Sequence, residues 1–198
     1  MTYDIILSLA AFALVSSLTP GPNNLMVLAS GANFGYRLTL PHMLGITVGF
    51  LVMMVLLGVG LAQMFLLYPM LKSMLRVVSV VYLIYLAWKI ANAAPPQNAV
   101  EKGKPMTFLQ AALFQWVNPK AWAMALTAVT VYAPSQELVV IAVVALIFGL
   151  INFPSVSAWA FLGQRMQVFL INNKRLQVFN ISMAVLLLGS LYPVLVPA

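Results

Sequence analysis

Thr19-Pro20-Gly21-Pro22-Asn23-Asn24 interrupts an apolar run that extends from about residue 5 to residue 29. Two prolines, a glycine and two asparagines are poor residues for a helix interior. Each proline removes a backbone donor and clashes with the preceding turn. Thr19 and Gly21, each followed by proline, are pushed toward extended backbone. In water such a stretch is a loop. In a membrane it is a costly break, tolerated only against protein or a water-filled cavity.

The rest of the chain decides for the membrane. Its 198 residues are 63% hydrophobic and 7% charged, where a soluble domain carries roughly 25% charged residues. Mean hydropathy is +1.01. A wet-surfaced globule is excluded, and the long apolar runs predict helices, not the short alternating strands of an outer-membrane barrel. The expected fold class is all-α, a polytopic membrane protein. The net charge of +7 comes from cations scattered between the apolar runs. They read as orientation signals and as contacts to membrane lipid, not as a nucleic-acid surface. The absence of cysteine removes disulfides, thiolate metal sites and thiol redox chemistry. The first apolar run is too long for a signal peptide, and it is preceded by Asp4 without Lys or Arg.

Working outward, six spans are expected at about 4–29, 40–62, 69–91, 107–132, 138–162 and 176–196. Pro41 suits the first turn of the second span. Gly45 and Gly49 form a small-xxx-small face within it. Tyr82, Tyr85 and Trp88, followed by Lys89, read as an interfacial belt. The stretch 93–106, with Pro95, Pro96 and Glu101, is a linker. It divides a single membrane domain into a first repeat, 1–92, and a second, 107–198. Arg37, Lys89, Lys102, Lys104, Arg165, Lys174 and Arg175 flank the odd-numbered connections, while Lys72 and Arg76 lie on the other side. The positive-inside rule then places both termini outside, in the periplasm.

The two halves carry matching breaks. Thr19-Pro20 interrupts the first span of one half, and Asn118-Pro119-Lys120 the first span of the other. Thr and Asn are good N-caps and Pro suits the first helical position, so each motif can end one half-helix and start another. Halves of three spans have opposite orientation, and inverted repeats with broken helices are the pattern of a secondary transporter. A half-helix N-terminus offers free N–H groups and about half a positive charge. Lys120 adds a full charge. The ligand so inferred is small, polar and carboxylate-bearing, such as an amino acid. Its candidate contacts are Thr19, Gly21, Asn23, Asn24, Gln115, Asn118, Lys120 and Asn152. Pro20, Pro22, Pro119 and Pro154 are the candidate helix breaks, Pro154 either a third break along the path or a mere kink. Neither cofactor nor metal is expected.

Thr19–Asn24, the Gly45/Gly49 segment, Tyr82-Leu-Ile-Tyr-Leu-Ala-Trp-Lys89 and Phe114-Gln-Trp-Val-Asn-Pro-Lys-Ala121 together resemble the lysine-exporter (LysE/RhtB) family of bacterial translocators. The resemblance runs over nearly the whole chain. It implies a six-span exporter of amino acids or their derivatives in the bacterial inner membrane, driven by the proton motive force and similar to the family's neutral amino-acid and metabolite exporters. Visible proton carriers are scarce: Asp4, Glu101 and Glu137 lie near span ends or in loops, and His42 lies near a boundary.

Plainer readings stand beside these. The first break can be a packing kink. Lys120, at about 3 kcal/mol in mid-span, can pair with backbone carbonyls instead of lining a cavity. Arg76 can snorkel to the outer surface. Asp4, His42 and Arg76 are structural on the plain reading and gating or coupling groups on the other. Trp159 reads as packing. At the level of function, an amino-acid exporter working by alternating access competes with a passive channel for a small polar solute. An intramembrane enzyme lacks its usual paired carboxylates, thiol or His-Glu-x-x-His. A homo-oligomer is compatible with everything above.

Overall fold

The computed structural model describes residues 1–61, 63, 67–68, 70–93 and 104–195. Most of the linker, including Pro95, Pro96, Glu101 and Lys102, lies outside the described residues, as do Ala62, Pro69 and Val196. Among the described residues every regular element is helical. α1 spans Tyr3–Leu18, α2 Pro22–Phe34, and α3 Tyr36–Leu56 with a wider turn over Leu57–Leu61. α4 spans Met70–Ala91, α5 Phe108–Phe114 with a tight turn at Gln115–Val117, and α6 Pro119–Tyr132. α7 spans Leu138–Met166, α8 Asn173–Gly189, and α9 Tyr192–Leu195.

Among the described residues three helical stretches are long and apolar enough to cross a bilayer alone: Tyr36–Leu61, Ser73–Ala91 and Leu138–Met166. α1 and α2 are each shorter than the ~20 residues a span needs. Together they qualify as one span, bent by 54° at the break. α5 and its tight turn form a shorter apolar helix, Phe108–Val117.

Several boundaries move relative to the sequence expectation. α2 and α3 are separated by Gly35 alone, whose φ of 83° makes the reversal in one residue. A side chain there would be strained, which is why glycine occupies it. α3 therefore begins at Tyr36, and Pro41 lies inside it instead of in its first turn. Pro154 also lies inside a helix: α7 runs unbroken through it. The third break is therefore not formed. A helix of 29 residues carries the backbone past the one missing donor.

Packing interlocks the two halves. Gly45 and Gly49 of α3 face α5: a methyl group on Gly45 would collide with the carbonyl of Phe108, and one on Gly49 would come within 2.5 Å of the Ala112 Cα. Gly31 of α2 and Gly163 of α7 do the same on the other side, against the carbonyls of Ala160 and Leu28. Each broken helix is thus drawn against the long helix of the opposite half by glycines that let backbones touch. Phe50 and Phe148, with ring centroids 5.0 Å apart, fill the space between α3 and α7. The outcome is that the two breaks meet in the middle of the array.

Candidate functional site

The first break is built from two caps. α1 ends at Leu18, with Thr19 as its C-cap and the Thr19 N–H donating to the Val15 carbonyl. α2 starts two residues later than the sequence suggests. Its N-cap is Gly21 and its first residue is Pro22, so Thr19-Pro20 closes a helix and does not open one. The correction has a local cause. Pro20 and Pro22 each force the residue before them to be extended, and only after the second does the chain turn helical. The second break follows expectation: Asn118 is the N-cap of α6, its Oδ1 accepts from the Lys120 N–H at 3.2 Å, and Pro119 is the first helical residue.

A helix that stops inside a membrane leaves its last carbonyls without partners. Here side chains from elsewhere supply them. Asn24 Nδ2 donates to the carbonyls of Ser17 at 2.7 Å and Thr19 at 2.8 Å. The Trp159 indole N–H donates to the Leu18 carbonyl at 3.3 Å. Lys120 Nζ donates to the Thr19 carbonyl at 2.6 Å, the Thr19 hydroxyl at 2.8 Å and the Pro20 carbonyl at 3.4 Å. Both sequence readings of Lys120 therefore meet: it pairs with carbonyls, and it borders a cavity.

The charge logic is informative. Lys120 is the second residue of α6, the positive end of that helix, where a cation is unfavourable by about 0.3–1 kcal/mol. Its side chain reaches away to the C-terminal carbonyls of α1, the negative end of another helix. Gly21 makes room for this reach: a Cβ there would lie 2.6 Å from the Lys120 Cδ.

Amides link the rest. Asn23 Nδ2 donates to Gln115 Oε1 at 2.9 Å, and Gln115 Nε2 donates back to Asn23 Oδ1 at 3.1 Å. This pair joins the start of α2 to the end of the opposite half-helix. Gln115 is fully buried and is held by a second bond from Nε2 to the Ala111 carbonyl. Asn152 of α7, also buried, donates to the Ser17 hydroxyl at 3.2 Å and accepts from the Thr47 hydroxyl at 3.2 Å. All eight candidate contact residues thus converge on one polar centre. Gly21, Asn23, Asn24, Asn118, Lys120 and Asn152 border a small cavity there, and Thr19 and Gln115 hydrogen-bond to residues that do. Its volume is about 20 Å³, space for one water molecule.

Sequence reasoning missed Ser16, Ser17, Thr47 and Trp159 as members of this centre. Ser16-Ser17 directly precedes the first break and Thr47 sits between Gly45 and Gly49, so position held a signal for both. Trp159 carried none. Arg76, by contrast, lies at the surface and donates to the Leu195 carbonyl at 2.8 Å, and Asp4 lies in the exposed first turn of α1. Neither reaches the centre.

A helical array with two interrupted helices meeting at a buried polar centre is the architecture of a multi-pass membrane translocator. Residues 14–190 match the model of the LysE type translocator family, and the chain belongs to that family. It is a transporter and not an enzyme. Curated relatives include the cysteine/O-acetylserine efflux proteins of Escherichia coli strain K12 and of Shigella sonnei strain Ss046. Each is 27% identical over 169 residues, covering 84% of this chain and 86% of the relative. No solved structure matches the chain.

Proposed function

We propose that the protein is a secondary transporter that exports small amino acids or amino-acid derivatives across the bacterial inner membrane. Six spans in two inverted repeats, residues 1–92 and 107–198, work by alternating access around the polar centre. The proton motive force drives them, and both termini face outward. The packing of α3 on α5 and of α7 on α1, contacts that an inversion of the two halves makes equivalent, supports the repeat reading.

One observation carries the substrate class. The Lys120 ammonium is held at the C-terminal end of α1, beside the starts of α2 and α6, on neutral oxygens of Thr19 and Pro20. A carboxylate offers it a stronger, charge-assisted partner. The start of α2 and the start of α6 both favour an anion at the same place. An amino acid does not fit a 20 Å³ void. The described conformation is therefore closed at the centre, and a solute enters as Lys120 leaves the α1 carbonyls and the breaks separate. A closed centre also speaks against a standing open channel. The relatives' names make O-acetylserine and cysteine the first solutes to try.

Counterflow in vesicles with a panel of amino acids tests this. Saturable exchange of carboxylate-bearing solutes is expected. Movement only of solutes without a carboxylate, or flux without counterflow, would remove the reading.

A further inference from the structure

A second cavity, larger than the one at the centre, lies away from it. It occupies about 250 Å³ between α2, α3, α4 and the segment that enters α5. Small-molecule pockets run from roughly 300 Å³ upward for drug-sized ligands, so this one suits a smaller solute. Met26, Ser30 and Asn33 line it from α2. They share a helix face with Asn23, being three, seven and ten residues beyond it. The α2 side of the cavity therefore shares a stripe with the Asn23–Gln115 pair, about 10 Å from Ser30 at 1.5 Å per residue.

His42 of α3 forms part of the wall. Only 1% of it is exposed, and neither ring nitrogen has a hydrogen-bond partner among the described residues. A buried imidazole without partners is a costly arrangement. Lys89 and Lys104, both exposed, stand in the wall as well. They belong to the connection that the charge count assigns to the cytoplasm. Two cations and an unpartnered imidazole over an apolar lining define a place for one small anion with a compact body.

We propose that this cavity is the loading site on the cytoplasmic side, where a carboxylate-bearing amino acid or derivative binds before it reaches the centre. Lys89 and Lys104 hold the carboxylate at the entrance, and the His42 ring, whose nitrogens are covered in the described conformation, turns to donate an N–H to the solute within. The assignment rests on the export function proposed above. A lipid headgroup phosphate shares this anion chemistry and is the competing occupant.

His42 is the single histidine of the chain, so isotope-labelled histidine reports on the cavity alone. The protein is placed in phosphatidylcholine nanodiscs and titrated with O-acetylserine, in parallel with flux into inverted vesicles. The expected result is a saturable shift of the imidazole resonances that survives Asn23→Ala and is lost when Lys89 and Lys104 are both changed to Gln. His42→Ala should raise KM for uptake at the cytoplasmic face about tenfold, the scale of one charge-assisted hydrogen bond. Saturable flux with no imidazole shift overturns the loading site and leaves the export function standing. A shift produced by phosphatidylglycerol without amino acid assigns the cavity to lipid and overturns it too. Absence of flux for every amino acid tried overturns the export function and, with it, the substrate assigned here.

Discussion

Lys120 Nζ lies 2.6 Å from the carbonyl oxygen of Thr19, a contact between residues 101 positions apart that ties the two helix breaks together. It satisfies a carbonyl that α1 leaves open inside the membrane, and it places the charge of α6 on the negative end of α1. The same ammonium is the group proposed to receive the solute carboxylate. Structure and transport therefore depend on one side chain, and their losses should be separable.

Lys120→Met keeps the aliphatic stem and removes the charge. The Thr19 and Pro20 carbonyls lose a donor, but both residues are exposed and the Thr19 carbonyl keeps its bond from Asn24, so the cost is about 1 kcal/mol or less. The melting temperature in detergent should fall modestly, with folded protein still recovered. Exchange of amino acids should fall by far more, at least tenfold. Wild-type exchange in a folded Lys120→Met protein would remove Lys120 from the site.

Gly21→Ala tests the path of the Lys120 stem. The added methyl would stand 2.6 Å from Cδ and 3.2 Å from Nζ. The lysine must swing away from Thr19 to admit it. The α2 start is unaffected, because Gly21 has extended backbone that any residue adopts. Helix content by circular dichroism should be unchanged while exchange drops severalfold. An alanine variant with full activity would show that the Lys120–Thr19 contact is dispensable.

The polar centre was largely legible in the sequence because the residues that break apolar helices are so conspicuous there. Asn118-Pro119 was read correctly to the residue, since an N-cap followed by proline is a local signal. Thr19-Pro20 was misread by two positions because Pro22, not Pro20, is the residue that sits inside α2. Two prolines two apart leave the restart ambiguous until the backbone is seen. Pro154 failed as a break for the opposite reason: it is a lone proline in a 29-residue helix, and tertiary packing overrides one missing N–H. His42 looked like a boundary residue because α3 was started four residues late. With α3 beginning at Tyr36, it sits two turns inside and fully buried. Trp159 was illegible in principle, because nothing local says that an indole will meet the end of α1.

The reciprocal amide pair Asn23–Gln115 predicts coupling between the halves. Each side chain both donates to and accepts from the other, at 2.9 and 3.1 Å. Truncating Asn23 leaves the buried Gln115 Oε1 without its donor while Nε2 keeps the Ala111 carbonyl, and truncating Gln115 removes both partners of the Asn23 amide. Asn23→Ala and Gln115→Ala should each destabilise, and the double variant should cost less than their sum by about 1 kcal/mol. Thermal or urea unfolding of the four proteins in one detergent gives the cycle. Strict additivity would mean that the pair does not bind the breaks together.

Orientation can be read with single cysteines because the chain has none of its own. Gln136 lies exposed in the turn between α6 and α7, and Val168 lies exposed between α7 and α8. With both termini outside, Gln136→Cys should react with a membrane-impermeant maleimide in intact spheroplasts. Val168→Cys should react only in inverted vesicles. The reverse pattern would invert the topology and move the His42 cavity to the outer face.

The last prediction concerns the glycines that let the halves interlock. Gly45 packs against the Phe108 carbonyl and Gly163 against the Leu28 carbonyl. In both places the obstacle to a side chain is backbone, which cannot turn aside as a rotamer can. Valine at either position must push two helices apart, and overpacking of this kind costs typically 1–3 kcal/mol or more. Gly189, near the end of α8, is the built-in control, because a methyl there meets nothing within 4 Å. Gly189→Ala should be neutral or raise stability slightly, alanine being about 1 kcal/mol the better helix former. Melting of the three variants in a single detergent should therefore split them, with Gly45→Val and Gly163→Val both well below wild type and Gly189→Ala at or above it. Each of the first two loosens a broken helix from the long helix of the other half. A large loss at Gly163 with none at Gly45 would leave only the α2–α7 contact as structural.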